Sequence, residues 1–286
     1  MGVMAVFFLS CASTRINQFG QFASVGRAYS DAARTVLSEA GDLVIDESSD
    51  RLMRIRDGLT QKERGEMIIE YNQSDMEFLT IFNDIFRHTT LLGDYFEALK
   101  AFTENDDPAD AGNSARAAYT ALARIHPEVK AKKFGESAIG DYLDPVITLT
   151  VGQLKHTLLE EELRKRGQLI ERELALQSAA MKAVSEMMQS RVENILISRE
   201  AVTIAFAYMG EPGSPDKKLP GTWARKRREI LKASASMESL NEAAKTAEKL
   251  RQTYIKLVQN DLDKEELEFL VQDLEGIIEI IKLFSD

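Results

Sequence analysis

The sequence predicts an all-α protein: an elongated antiparallel helical bundle with long coiled-coil-like helices. Three observations lead there. The 6 prolines and 16 glycines among 286 residues lie far apart, whereas an all-β chain needs turn residues every ~10 positions. Ala, Leu, Glu, Lys and Arg are abundant, and these residues lose least on entering a helix. Apolar residues recur in alternating steps of three and four over long stretches, which places them on one face of a helix.

From Thr14 to about Arg56 the chain is helical in character, with Asp57-Gly58 as a stop. Thr60 with Glu63 three residues later has capping-box spacing, in which each side chain satisfies the other residue's free amide. The helix begun there is expected to reach about Phe102, with Phe78, Phe82, Ile85, Leu92, Phe96 and Leu99 as its apolar stripe. Residues 104–112 read as a connector. Ser114 is a candidate cap for a short helix to Arg124, and residues 127–144 read as irregular; no segment reads as a strand. Asp144-Pro145 is a helix start. From there to about Met209 a single helix is expected, carrying a seven-residue recurrence through Leu174, Met181, Met188, Ile195, Val202 and Met209. Such a repeat implies a left-handed seam against a partner helix. A second row is Ile170, Val184 and Ala205; Gly152 and Gly167 are the candidate break points.

Residues 211–222 hold Pro212, Gly213, Pro215, Pro220 and Gly221 and read as a connector. The next helix, to about Asn260, carries Met237, Leu240, Ala244, Ala247, Tyr254 and Leu257 on one face. Asp263 with Glu266 caps a last helix striped by Leu267, Leu270, Val271, Leu274, Ile277, Ile278 and Ile281. Residues 11–286 are thus read as a single helical-bundle domain.

Charge and chemistry narrow the function. The formal net charge is -10, which argues against general nucleic-acid binding. His88, His126 and His156 form no zinc motif, and none has a Glu three residues before it. His156 with Glu160 is half a metal site at most. The run Glu160, Glu161, Glu162, Arg164, Lys165, Arg166 reads as a solvated face with pairs one turn apart. Met181, Met187, Met188 and Met209 read as seam packing. No phosphate loop and no nucleophile elbow appears. The expectation is therefore a chain that is not an enzyme, with no catalytic residues, no metal and no cofactor. One patch stands out. Lys217, Lys218, Arg225, Lys226, Arg227, Arg228 and Lys232 surround the only tryptophan, Trp223, against Asp216 and Glu229. It is a candidate site for anionic headgroups or another anionic partner; a solvated helix start with Trp223 packed inward is the alternative.

The N-terminus bears on location. Val3 to Leu9 is an apolar run too short to span a bilayer, and the length suits the core of a secretory leader. Phe8-Leu9-Ser10-Cys11 resembles the lipobox of bacterial lipoproteins, with a small residue before the only cysteine. No basic residue precedes Arg15, where such leaders usually carry one, and Phe8 stands where Leu is commonest. The resemblance implies that residues 1–10 are a cleaved signal peptide and that the Cys11 thiol receives a lipid. Ala12, rather than Asp, implies the outer membrane, facing the periplasm. The alternative is the first turn of a bundle helix with Cys11 as a small buried hydrophobe.

The function expected from this reading is a lipid-anchored envelope protein whose bundle is a non-catalytic binding or structural module. Its partners would be the membrane through Cys11, and an envelope protein or anionic headgroups. The alternatives are a membrane-active, pore-forming-like helical protein, or a cytosolic scaffold that binds a polyanion through the Trp223 patch.

Overall fold

A computed structural model describes the backbone of residues 5–104, 133–134, 137–138, 158–199, 204, 208, 219–259, 261–262 and 264–285, and the side chains of 16–104, 167–189, 204, 208, 222–259, 261–262 and 265–279. Five α-helices are described: α1 (Ala5–Ile55), α2 (Gln61–Glu104), α3 (Leu158–Arg199), α4 (Leu219–Gln259) and α5 (Lys264–Ser285). At 1.5 Å per residue, the 51 residues of α1 span about 75 Å. The fold is an all-α bundle of helices packed against one another.

The α1–α2 turn forms as its residues dictate. A 3-10 turn at Arg56–Gly58 ends α1. The Thr60 amide donates to Glu63 Oε2 at 2.7 Å, and the Glu63 amide donates to Thr60 Oγ1 at 3.4 Å. Hydrogen bonds from the Thr60 hydroxyl and amide hold the Glu63 carboxyl below its ordinary range.

Partners along α1 and α2 step backward together. Gly20 meets Thr103, Gly26 meets Phe96, Ser30 meets Gly93, and Gly41 meets Leu79 and Phe82. Further up, Ser48 Oγ donates to Asp75 Oδ2 at 2.5 Å. The two helices are therefore antiparallel. Helix α4 also runs against α1: Phe22 packs on Tyr254, and Ser236 Oγ donates to Glu39 Oε2 at 2.8 Å. Helix α5 turns back along α4, where Lys256 pairs with Glu266 and Lys249 with Asp273.

Residues from all five helices enter one apolar core. Phe82, Ile85, Leu92, Phe96 and Leu99 of the α2 stripe are buried, and Phe78 packs against them. Leu174, Met181 and Met188 of the seven-residue recurrence are buried in α3, with Ile170, Val184 and Met187. Leu240, Ala244, Ala247, Tyr254 and Leu257 are buried in α4, as are Leu267, Leu270, Leu274 and Ile277 in α5. Helix α3 continues unbroken through Gly167.

The fold departs from the expectation at three places. Helix α1 begins at Ala5 rather than near Thr14, because an apolar run with no proline or glycine breaker suits a helix as well as the residues after it do. Helix α4 begins at Leu219, so Pro220, Gly221 and Thr222 belong to its first turn and not to a connector; a first-turn amide has no intrahelical acceptor, so proline costs little there. Lys133–Phe134 and Ser137–Ala138 pair as a two-residue antiparallel ribbon inside the stretch read as irregular. Strands of two residues are too short for alternation to reveal. The expected Ser114–Arg124 helix, the start at Asp144-Pro145, Gly152, most of residues 200–209, and Asp263 lie outside the described residues.

The α1–α2 interface is close enough at Gly26 to decide the sign of a mutation. A Cβ there would lie 2.5 Å from Cδ2 and Cε2 of Phe96. Phe96 is fully buried and wedged between Phe22 and Tyr95, with both ring centroids 5.6 Å away. Gly26→Ala should destabilise the protein by about 1–3 kcal/mol through overpacking, despite the helix-propensity gain of roughly 1 kcal/mol. Gly276→Ala, with open space around its Cβ, should stabilise it. Melting curves that rank the two variants the other way would refute this packing.

Candidate functional site

Four places could bear function: the Cys11 end of α1, the Trp223 corner, a polar layer inside the bundle, and a groove beside α5. Cys11 lies in the first turns of α1, and its side chain is outside the described residues.

The Trp223 corner forms where α4 begins. Trp223 Nε1 donates to the Ile204 carbonyl at 3.2 Å. Its ring stacks on Tyr208 with centroids 6.0 Å apart, and the Arg227 guanidinium sits 5.8 Å from the ring centroid. Tyr208 is 79% exposed. The described cations of the run have different neighbours. Arg225 pairs with Glu229 at 3.7 Å on the next turn. Lys226 lines a cavity of about 300 Å³ with Glu229 and with Asp46 and Asp50 of α1. Tertiary packing thus sets acidic groups of α1 beside one end of the basic run. Arg225, Lys226, Arg227 and Arg228 are all exposed. Lys217 and Lys218 lie outside the described residues.

The polar layer was not legible in the sequence. In its first part, His88 Nδ1 of α2 lies 3.1 Å from Glu173 Oε1 of α3, and Gln177 Nε2 donates to the same oxygen at 3.2 Å. Thr89 Oγ1 lies 2.9 Å from Gln177 Oε1. In its second part, Arg251 of α4 donates through Nη1 to Glu171 Oε1 at 2.8 Å and grips Glu248 with Nε and Nη2 at 2.9 and 2.8 Å. Burial would raise the Glu248 carboxyl, but hydrogen bonds from Arg251 and Gln252, with the Arg251 charge, outweigh it and lower it. The same bonds to Glu248, opposed by burial and aided by Glu171, hold the guanidinium charged.

Tyr29 and Tyr254 complete the layer. Burial raises both phenols, reinforced by Glu173 for Tyr29 and by Tyr95 and Glu171 for Tyr254, so both stay neutral. Their hydroxyls and Glu171 Oε2 have no hydrogen-bond partner among the described residues. No group of three or more His, Cys, Asp or Glu side chains among the described residues is placed to hold a metal ion. His126, His156 and the side chains of residues 160–166 lie outside the described residues. The buried positions of Met181, Met187 and Met188 make them core residues.

The groove has a volume of about 900 Å³. It is open along its length, between α1 from Ile16 to Ala28 and α5 from Leu267 to Ile278, with the end of α2 at one side. Ser24 and Ala28 keep the α1 side low, and Leu267, Val271, Leu274 and Ile278 make the α5 side apolar. Glu104, Glu268 and Glu275 also line it, and no Lys or Arg does among the described residues.

These features define an all-α helical bundle with a polar layer at its centre, a groove beside its last helix and an aromatic-basic corner where α4 starts. No described helix is long and apolar enough to cross a membrane. No family model matches the chain, nor does any curated protein or solved structure.

Proposed function

We propose that the protein is a lipoprotein-type envelope component, anchored by lipid on Cys11, whose bundle acts as a non-catalytic binding or structural module. The observation that carries this reading is the lipobox-like Phe8-Leu9-Ser10-Cys11 after the apolar run Val3 to Leu9. Ala12 supports the outer membrane, with the bundle facing the periplasm. Cys11 and the core residues Phe19 and Phe22 belong to one helix, so a lipid at Cys11 would hold the bundle through a rigid segment. The α1–α2 turn would then lie about 65 Å along the helix from the anchor, a suitable reach for a spacer or a docking platform.

A second reading has its own observation in the Arg227–Trp223–Tyr208 stack. A cation and two aromatic rings at a helix start suit an anionic headgroup or polyanion, and a chain that uses them could be a cytosolic scaffold. The pore-forming-like reading has only helix length behind it.

The deciding experiment is intact mass with membrane fractionation in a Gram-negative host, with Cys11→Ser beside the wild type. A mature species beginning at Cys11 with added lipid mass, absent from the variant, is the expected result. An unprocessed, soluble chain with a free thiol would reject the lipoprotein reading and favour the Trp223 corner.

A further inference from the structure

We propose that one side of the α1–α2 hairpin, toward its tip, is a self-association face that pairs two copies of this chain antiparallel, α1 on α1 and α2 on α2. Ser49, at the centre of the face, is about 57 Å along α1 from Cys11, so the pairing stands or falls separately from lipidation.

The core stops short of the tip. No residue from Ser49 of α1 to Thr80 of α2 is buried, and Leu52, Ile55, Met67 and Tyr71 are only half-buried. Two stripes of exposed residues run along this arm. On α1, Asp42, Ile45, Ser49, Met53 and Arg56 follow in steps of three, four, four and three. On α2, Gly65, Ile69, Asn72 and Met76 follow in steps of four, three and four, with Ile68 beside them. Such steps put each set on one face of its helix. Both stripes lie on the same side of the hairpin. Continued in like steps they reach Arg34 and Phe86, where the guanidinium is 5.9 Å from the ring centroid. Ile45, Met53, Ile69 and Met76 are between 42% and 62% exposed, and an apolar patch of this kind marks an interaction site. The α2 stripe, with Leu79, Asn83 and Phe86, carries no charged residue, the depletion expected at the centre of an interface.

The order of residues points to a second copy as the occupant. Taken in reverse, the α1 stripe complements itself. A twofold axis crossing α1 at Ser49 sets Ile45 of one copy against Met53 of the other, Asp42 against Arg56, and Ser49 against its own counterpart. On α2, an axis between Asn72 and Gln73 sets Ile69 against Met76. One axis serves both helices. Ser48 Oγ donates to Asp75 Oδ2, which brings the two crossing points within about 2 Å of one level. In a twofold contact residue i meets j and j meets i, and an unrelated partner makes no such demand on the sequence. Ser49 and Asn72 at the centre are short enough for two helices to approach there.

Charge and area agree with this pairing. Arg56 donates to Asp57 through Nε. A guanidinium carries five N–H donors, so Asp42 of the second copy is met without breaking that pair, and opposite signs fix the antiparallel register. From the tip to Ser38 and Phe86 the arm is about 30 Å long and two helices, or about 20 Å, wide. That gives about 600 Å² on each copy and about 1,200 Å² in all, above the ~1,000 Å² that a specific interface needs.

The test uses the full chain carrying Cys11→Ser, which removes the only cysteine. Analytical ultracentrifugation over a range of concentrations should show a monomer–dimer equilibrium. Met53→Glu with Ile69→Glu, both at exposed positions, should raise the dimer dissociation constant tenfold or more while far-UV circular dichroism keeps its helical signal. Asp42→Arg should weaken the dimer, and adding Arg56→Asp should restore it, because the swapped charges face each other again across the axis. Ser49→Cys reads the axis itself. Under mild oxidation it should give a disulfide-linked dimer, since a residue on a twofold axis faces its own copy at disulfide distance, whereas Lys245→Cys, exposed on α4, should not. A monomer at every concentration, a dimer indifferent to Met53→Glu with Ile69→Glu, no rescue by the charge swap, or no cross-link through Ser49→Cys would each overturn the proposal. Should the double glutamate variant lose helicity, the charge swap and the cross-link decide by the same criteria.

Discussion

Phe82→Asp should abolish cooperative folding. Phe82 is 4% exposed on the α2 stripe and faces α1 near Gly41. Removing the ring forfeits roughly 3–5 kcal/mol of burial and leaves a cavity. The carboxylate put in its place would sit in the apolar core and must either drag water in or take up a proton, at a further cost of several kcal/mol. Against a total stability of about 5–15 kcal/mol, the two losses together leave little or nothing. Far-UV circular dichroism should show reduced helicity at room temperature and a broad, early melt. Leu274→Asp tests the same logic on α5, where Leu274 is equally enclosed. A sharp transition at the wild-type temperature in either variant would remove that residue from the core.

Arg251→Ala should be the most damaging change to the polar layer. Arg251 neutralises Glu171, a carboxylate with no solvent exposure, and bridges it to Glu248. Deleting the guanidinium strands the Glu171 charge between α3 and α4. Breaking a buried pair from one side typically costs roughly 3–5 kcal/mol, and at about 2–4 °C per kcal/mol for a chain near this size the melting temperature should fall by about 10 °C. The companion experiment separates pairing from packing. Arg251→Met with Glu171→Leu removes both charges and keeps the volume, so most of the lost stability should return. If the double variant melts no higher than Arg251→Ala, the pair is not what holds α3 to α4.

Much of this fold could be read from local pattern. The Thr60–Glu63 box, the stop at Asp57-Gly58 and the stripes of α2, α4 and α5 depend on residues a few positions apart, and helix geometry turns that spacing into one face whatever packs against it. The first turn of α4 was hidden because Pro220 and Gly221 are turn residues in most settings, and only the absence of an amide acceptor in a first turn makes them harmless. The ribbon at residues 133–138 was too short to carry a period.

The candidate sites were much less legible. Glu171, Glu173 and Gln177 look in sequence like the solvated face of a charged helix; their burial results from α2 and α4 closing over α3 with His88 and Arg251 as partners. Glu173 is 85 residues from His88, and Glu171 is 80 from Arg251. No local rule links positions so far apart. The Trp223 run was visible as composition, but its division between Asp46, Asp50, Glu229 and the aromatic stack was not.

Helical class, element order and the main apolar stripes were therefore determined by the sequence itself, because each arises from backbone hydrogen bonding and side-chain spacing within a few turns. The lipobox-like start is likewise a matter of four consecutive residues. Only the tertiary structure decided which charges are buried and paired, and where a groove opens between α1 and α5. Those properties depend on which helix faces which, and at what register. That choice is made by the summed packing of a core drawn from all five described helices, and no single segment contains it.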